Sequence, residues 1–112
     1  MLEIEELKKK LINYKREQIC YNEPHFSLRC AQREISKNLI EENLLNPNNL
    51  ILAYSLEALN EAEEKYEVYF KLSSNRTLKL IIVLRRESLY IITVMVRYRK
   101  WQNLIKTPKR HI

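Results

Sequence analysis

The sequence predicts an α+β domain in which N-terminal helices pack on one face of a four-stranded antiparallel sheet. Three observations carry that prediction. Apolar residues recur at helical spacing as far as Leu45, and from Asn49 onward the period drops to two. Between the two regimes stands Asn46-Pro47, where the residue before proline is pushed out of the helical region. Helices first and strands after argue for helices gathered on one face of a meander, not for alternating βαβ units. At 112 residues, 46% of them hydrophobic, the chain is sized for a single domain with a core that needs no disulfide or metal staple. Within it, residues 1–21 read as an extra N-terminal helical segment and residues 97–112 as a basic tail.

Taken in order, residues 2–18 have Ile4, Leu7, Leu11 and Tyr14 at helical spacing. Glu5–Lys9 and Glu6–Lys10 add favourable four-apart pairs, and early Glu with later Lys/Arg suits the helix dipole. Asn22-Glu23-Pro24 breaks the chain and starts the next helix, with Asn22 or Glu23 as cap and Pro24 in the first turn. That helix runs to about Glu34, with Leu28, Ala31 and Ile35 on its packing side. Ser36 caps a third helix, Lys37 to Leu45, whose apolar face is Leu39, Ile40 and Leu44.

Leu50 to Tyr54 then reads as a first strand, and acidic Ser55 to Lys65 as a loop or short helical turn. Tyr66 to Leu72 alternates, with Tyr66, Val68, Phe70 and Leu72 on one face and Glu67, Tyr69 and Lys71 on the other. Ser73-Ser74-Asn75 is turn chemistry. Thr77 to Leu84 and Leu89 to Val96 are more evenly apolar and read as central strands joined by Arg85-Arg86-Glu87-Ser88. One turn of helix is expected around Trp101 to Ile105.

Composition removes several function classes. There is no glycine, so phosphate-binding P-loops and dinucleotide fingerprints are excluded, and no cofactor is expected. Turns that need a positive φ are expected to use the ten asparagines. There is no aspartate, which removes Asp-built magnesium sites, although fourteen glutamates remain. Cys20 and Cys30 lack the C-x-x-C spacing, and no zinc-binding pattern appears. They read as thiols in a reducing compartment, the cytoplasm, while sequence alone leaves a disulfide between them open. The acidic N-terminus lacks an apolar signal core, and Leu89 to Val96 is too short to cross a bilayer, so no membrane association is expected. Asn75-Arg76-Thr77 then matches the glycosylation pattern by chance.

The formal charge of +6 is unevenly placed. Residues 1–96 hold fourteen Lys/Arg against fourteen Glu, and the whole excess lies in Arg97, Arg99, Lys100, Lys106, Lys109 and Arg110. Such a tail is drawn to nucleic acid or to an acidic partner, the plainer alternative being a solubilising tail. Earlier in the chain, His25, Arg29 and Arg33 are four residues apart. On a helix each such step advances only about 40°, so the three form one stripe. A solvated basic face softened by Glu23 and Glu34 is one reading of it. The sharper one is the phosphate-gripping edge of an RNA site, because guanidinium forks match phosphate oxygens.

The pattern H-x-x-x-R-x-x-x-R-x-I-S, carried by His25, Arg29, Arg33, Ile35 and Ser36, precedes a helix stopped at Pro47 and a meander with Ile92-Thr93-Val94 in its last strand. Over about residues 22–98 this resembles the DUF4258 family, a relative of the BrnT and RelE/ParE toxins. One departure is Glu34, where the family commonly has glycine. The resemblance implies a RelE-like fold and RNA cleavage, in a free or ribosome-associated setting, with an acidic antitoxin as partner.

Metal-independent cleavage by 2′-hydroxyl attack needs a base, cations on the phosphate and an acid for the leaving 5′-oxygen. His25 is the proton-transfer candidate, because histidine titrates near neutrality. Arg29, Arg33 and Arg97 are the phosphate candidates, with Tyr98 beside them. Arg85, Arg99, Lys100 and Trp101 are candidate nucleic-acid contacts, since cations interleaved with aromatics suit phosphate contact and base stacking. Tyr69 and Tyr90 are further candidate acids. The competing readings are a non-catalytic nucleic-acid-binding module and a protein-interaction module of the same fold, held by an antitoxin or blocking a target such as a topoisomerase.

Overall fold

The computed structural model describes residues 2–98. Among them are three α-helices, α1 (Leu2–Leu11), α2 (His25–Gln32) and α3 (Lys37–Leu45). Five strands form one sheet: β1 (Ile19–Tyr21), β2 (Leu50–Leu56), β3 (Glu64–Ser73), β4 (Arg76–Leu84) and β5 (Leu89–Arg97). The sheet order is β1-β5-β4-β3-β2. The predicted four-stranded antiparallel meander is present as β2 to β5, but the sheet is mixed, because β1 adds a fifth strand parallel to β5 through Ile19–Leu89, Cys20–Tyr90 and Tyr21–Ile91.

The helix expected over residues 2–18 is shorter, and β1 lies within the segment 1–21 expected to be wholly helical. Helix α1 stops at Leu11, a 3-10 turn covers Arg16–Gln18, and β1 follows. Three residues, Ile-Cys-Tyr, are too few to show a period of two, and their pairing comes wholly from tertiary contact. Helix α1 still buries Leu7 and Leu11 in the core as its spacing requires. Lys10 ties it to Glu64 of β3 at 2.8 Å, and beyond it the Tyr14 hydroxyl donates to the Arg85 carbonyl at 2.5 Å.

The core lies between the helices and one face of the sheet. Phe26 and Cys30 of α2, Ile40 and Leu44 of α3, and Val68, Phe70, Leu78, Leu80 and Ile82 of the sheet belong to it. In β5 the inward residues are Leu89 and Ile91, then Val94. The change from odd to even follows from a bulge: Ile91 and Thr93 pair with consecutive residues, Ile82 and Ile81, so Ile92 is the extra residue. On the opposite face, expected to be half-exposed, Glu67 and Tyr69 are buried. The Tyr69 hydroxyl donates to the Glu67 carboxylate, and the Lys79 ammonium lies 3.9 Å from it. Burial, and then the neighbouring carboxylate, push the Tyr69 phenol up.

The α2–α3 connection corrects one expectation. Among the described residues the non-glycine residue with positive φ is Glu34 at 55°, not an asparagine. It ends α2 in a Schellman motif: the Ile35 amide donates to the Cys30 carbonyl at 2.9 Å and the Glu34 amide to the Ala31 carbonyl at 3.3 Å. Ile35 and Cys30 are both buried, as that motif's apolar contact requires. Ser36 then caps α3 as expected, its hydroxyl accepting from the Leu39 amide at 3.1 Å.

Candidate functional site at the edge of the last strand

The start of α2 fixes which of its faces meets the sheet. The Glu23–Pro24 peptide is cis, and Pro24 holds the cap position. The capping oxygen comes from Glu23, which accepts from the Ser27 amide at 2.8 Å and also from the Ser27 hydroxyl. Lys37 reaches the same carboxylate at 3.0 Å. These Ser27 hydrogen bonds, followed by that from Lys37, hold the Glu23 carboxyl down at about 2. Phe26 is buried, its ring 4.8 Å from that of Tyr21 on β1. Phe26 and Cys30 are anchored inward, whereas Leu28 and Ala31, expected on the packing side with Ile35, are exposed, and His25 and Arg29 are left exposed along one side.

That side borders β5. Strand β1 ends at Tyr21 opposite Ile91, so β5 has no strand partner on this edge from Ile92 onward. His25 and Arg29 line one cavity of about 230 Å³ with Asn22, Phe26, Ile92 and Thr93. Asn22 is held twice: its amide donates to the Ile91 carbonyl at 3.0 Å, and its Oδ1 accepts from the Tyr90 hydroxyl at 2.9 Å. Among the described residues neither His25 nor Arg29 is engaged in an ion pair. An imidazole and an uncommitted guanidinium therefore line one space, an arrangement suited to an anionic oxygen cluster.

The other candidates are distributed differently. Arg33, at the end of the same stripe, donates through Nη1 to the Val94 carbonyl. It satisfies an edge carbonyl of β5 and stands outside the cavity lining. Arg97 lies three residues beyond Val94, about 10 Å along the strand. Strand alternation puts it on the face opposite the helices, where its charge acts on Tyr69. The structure thus brings His25 and Arg29 together and places Arg97 on another face. Tyr98 is exposed at the end of the described chain. Arg99, Lys100, Trp101 and the helical turn expected around them lie outside the described residues.

Arg85 is committed within the protein. Its Nε is 2.6 Å from Glu63, and its guanidinium sits 4.6 Å from the centre of the Tyr90 ring. Sequence reasoning missed Ile92 and Thr93 as cavity walls and took Asn22 only for a helix cap. The signal for Thr93 was present as a polar residue inside an evenly apolar strand, whereas a bulge at Ile92 has no such mark. Both cysteines are free thiols, Cys20 exposed and Cys30 buried. No helix among the described residues is long and apolar enough to cross a membrane.

The fold is that of an α+β domain with a five-stranded mixed sheet, and His25 and Arg29 line one cavity at its helix-bordered edge. Residues 23–96 match the domain of unknown function DUF4258, and the chain belongs to that family. The match takes in α2, α3 and the four-stranded meander, while α1, β1 and Asn22 precede it. Neither the curated proteins nor the solved structures contain a match to this chain.

Proposed function

We propose that this protein is a toxin-like, metal-independent endoribonuclease, the activity that a kinship of the DUF4258 family with the BrnT and RelE/ParE toxins would imply. The observation that carries the reading is the single cavity lined by His25 and Arg29 at the unpaired edge of β5. In this scheme Arg29 holds a phosphate oxygen. His25 takes the proton of the adjacent 2′-hydroxyl, the 2′-oxygen attacks phosphorus, and the bond to the 5′-oxygen breaks. Water at the open mouth supplies the proton for that oxygen, leaving a 2′,3′-cyclic phosphate and a 5′-hydroxyl.

The test is incubation of the purified protein with RNA, with and without ribosomes, followed by mapping of the ends. Cyclic phosphate and 5′-hydroxyl ends are expected, with His25→Ala slowing the reaction by about 10² to 10⁴. Undiminished cutting by the His25→Ala, Arg29→Ala double variant overturns the assignment. A second reading, non-catalytic binding of RNA or an acidic protein, is favoured by the use of Arg33 on the Val94 carbonyl. That leaves one proton-transfer group and one cation in the cavity. RNA binding with a steep salt dependence and no product supports this second reading.

A further inference from the structure

We infer that the loop between β2 and β3 and the adjoining end of the sheet form a nucleobase slot beside the His25–Arg29 cavity. This inference rests on the RNA reading above and specifies where the nucleotide's base lies. The slot is small, about 80 Å³, and its lining includes Leu59, Lys65, Val83, Tyr90, Ile92 and the Arg85–Glu63 ion pair. Ile92, the bulged residue, belongs to both spaces, so the slot and the phosphate cavity share a wall.

Tyr90 joins them a second time, because it lines the slot while its hydroxyl donates to Asn22, which lines the cavity. The slot opens on the sheet face opposite the helices, so a nucleotide with its phosphate at Arg29 would pass its base around the β5 edge at Ile92, the wall that both spaces share.

The walls suit a flat, weakly polar ring with polar edges. Leu59, Val83 and Ile92 supply apolar contact, and Arg85, fixed by Glu63 and seated over the Tyr90 ring at 4.6 Å, supplies the guanidinium plane on which a base would stack. Bases stack on such groups with little sequence preference. Leu59 is 96% exposed at the mouth, an unusual placement for a large apolar side chain, and a base entering the slot would cover it. Lys65 adds a cation at the rim, where the neighbouring phosphate of the strand would pass.

The test uses fluorescence anisotropy with the full chain and short 2′-O-methyl RNA strands, which cannot be cleaved by 2′-hydroxyl attack. One set carries every base, and the others carry one abasic position moved along the strand. For the wild type, one abasic position is expected to weaken binding about tenfold. In Leu59→Ser the loss at that position should shrink to less than twofold, whereas Ile12→Ser, an exposed apolar residue elsewhere, should keep it. If no abasic position matters while Arg29→Ala still weakens binding, the slot is overturned and the phosphate site stands. If binding is absent, or indifferent to His25→Ala and Arg29→Ala, both readings fall.

Discussion

Replacing Glu34 by glycine should stabilise the protein by about 1 kcal/mol. Glu34 occupies the left-handed region at φ 55°, where a side chain with a Cβ costs about 1–2 kcal/mol. Glycine adopts that region without the clash but loses more backbone freedom on folding, by about 0.5–1 kcal/mol. The difference leaves about 1 kcal/mol in favour of Glu34→Gly. For 112 residues the unfolding entropy is about 0.24 kcal/mol/K, so the midpoint of thermal unfolding should rise by about 4 °C. Thermal and urea unfolding followed by circular dichroism read the change. Glu34→Ala is the control, since it removes the carboxylate and keeps the Cβ. If Glu34→Ala stabilises as much as Glu34→Gly, the cause is charge and the backbone argument fails. No gain with glycine refutes the strain outright.

Two further outcomes follow from the site's construction. Arg33→Ala should destabilise by about 1 kcal/mol, because it strips the Val94 carbonyl of its donor, while Arg29→Ala should leave stability within about 0.5 kcal/mol. Equal losses in urea unfolding for the two would show that their roles have been misassigned. Glu23, whose folded pKa is lowered to about 2, contributes stability that is fully present above its ordinary value of 4.5 and is lost as pH falls through about 2. An NMR titration should find the Glu23 carboxyl midpoint near 2, with the Ser27 amide shift following it. A midpoint at 4 or above would mean that the carboxylate does not cap α2.

Legibility in the sequence followed the range of the interactions. Local signals located α2 and α3 well: Ser36 is a strong cap, and Asn46-Pro47 a strong stop. The four strands of the meander also lay close to where alternation and apolar runs put them. What escaped was set by distant contact. Strand β1 exists because β5 offers Leu89, Tyr90 and Ile91 as parallel partners. The bulge at Ile92 depends on the register of β4. The same distinction runs through the site. Helical spacing correctly puts His25 and Arg29 on one side, since that is a property of one helix. It carries no information on Arg33 meeting a strand carbonyl, or on Arg97 facing away across the sheet. The glycine-to-glutamate departure at position 34 was visible, but its meaning required the backbone angle.

The placement of β1 bears on how the protein should be handled. A fragment cut to residues 23–96 would discard Asn22, the side chain that receives the Tyr90 hydroxyl, together with Tyr21, whose ring lies against Phe26. The cavity beside β5 would lose Asn22 from its lining even if the meander still folded. Boundaries drawn by family resemblance and boundaries drawn by the chemistry of the cleft differ here, and work on this chain should begin upstream of α1.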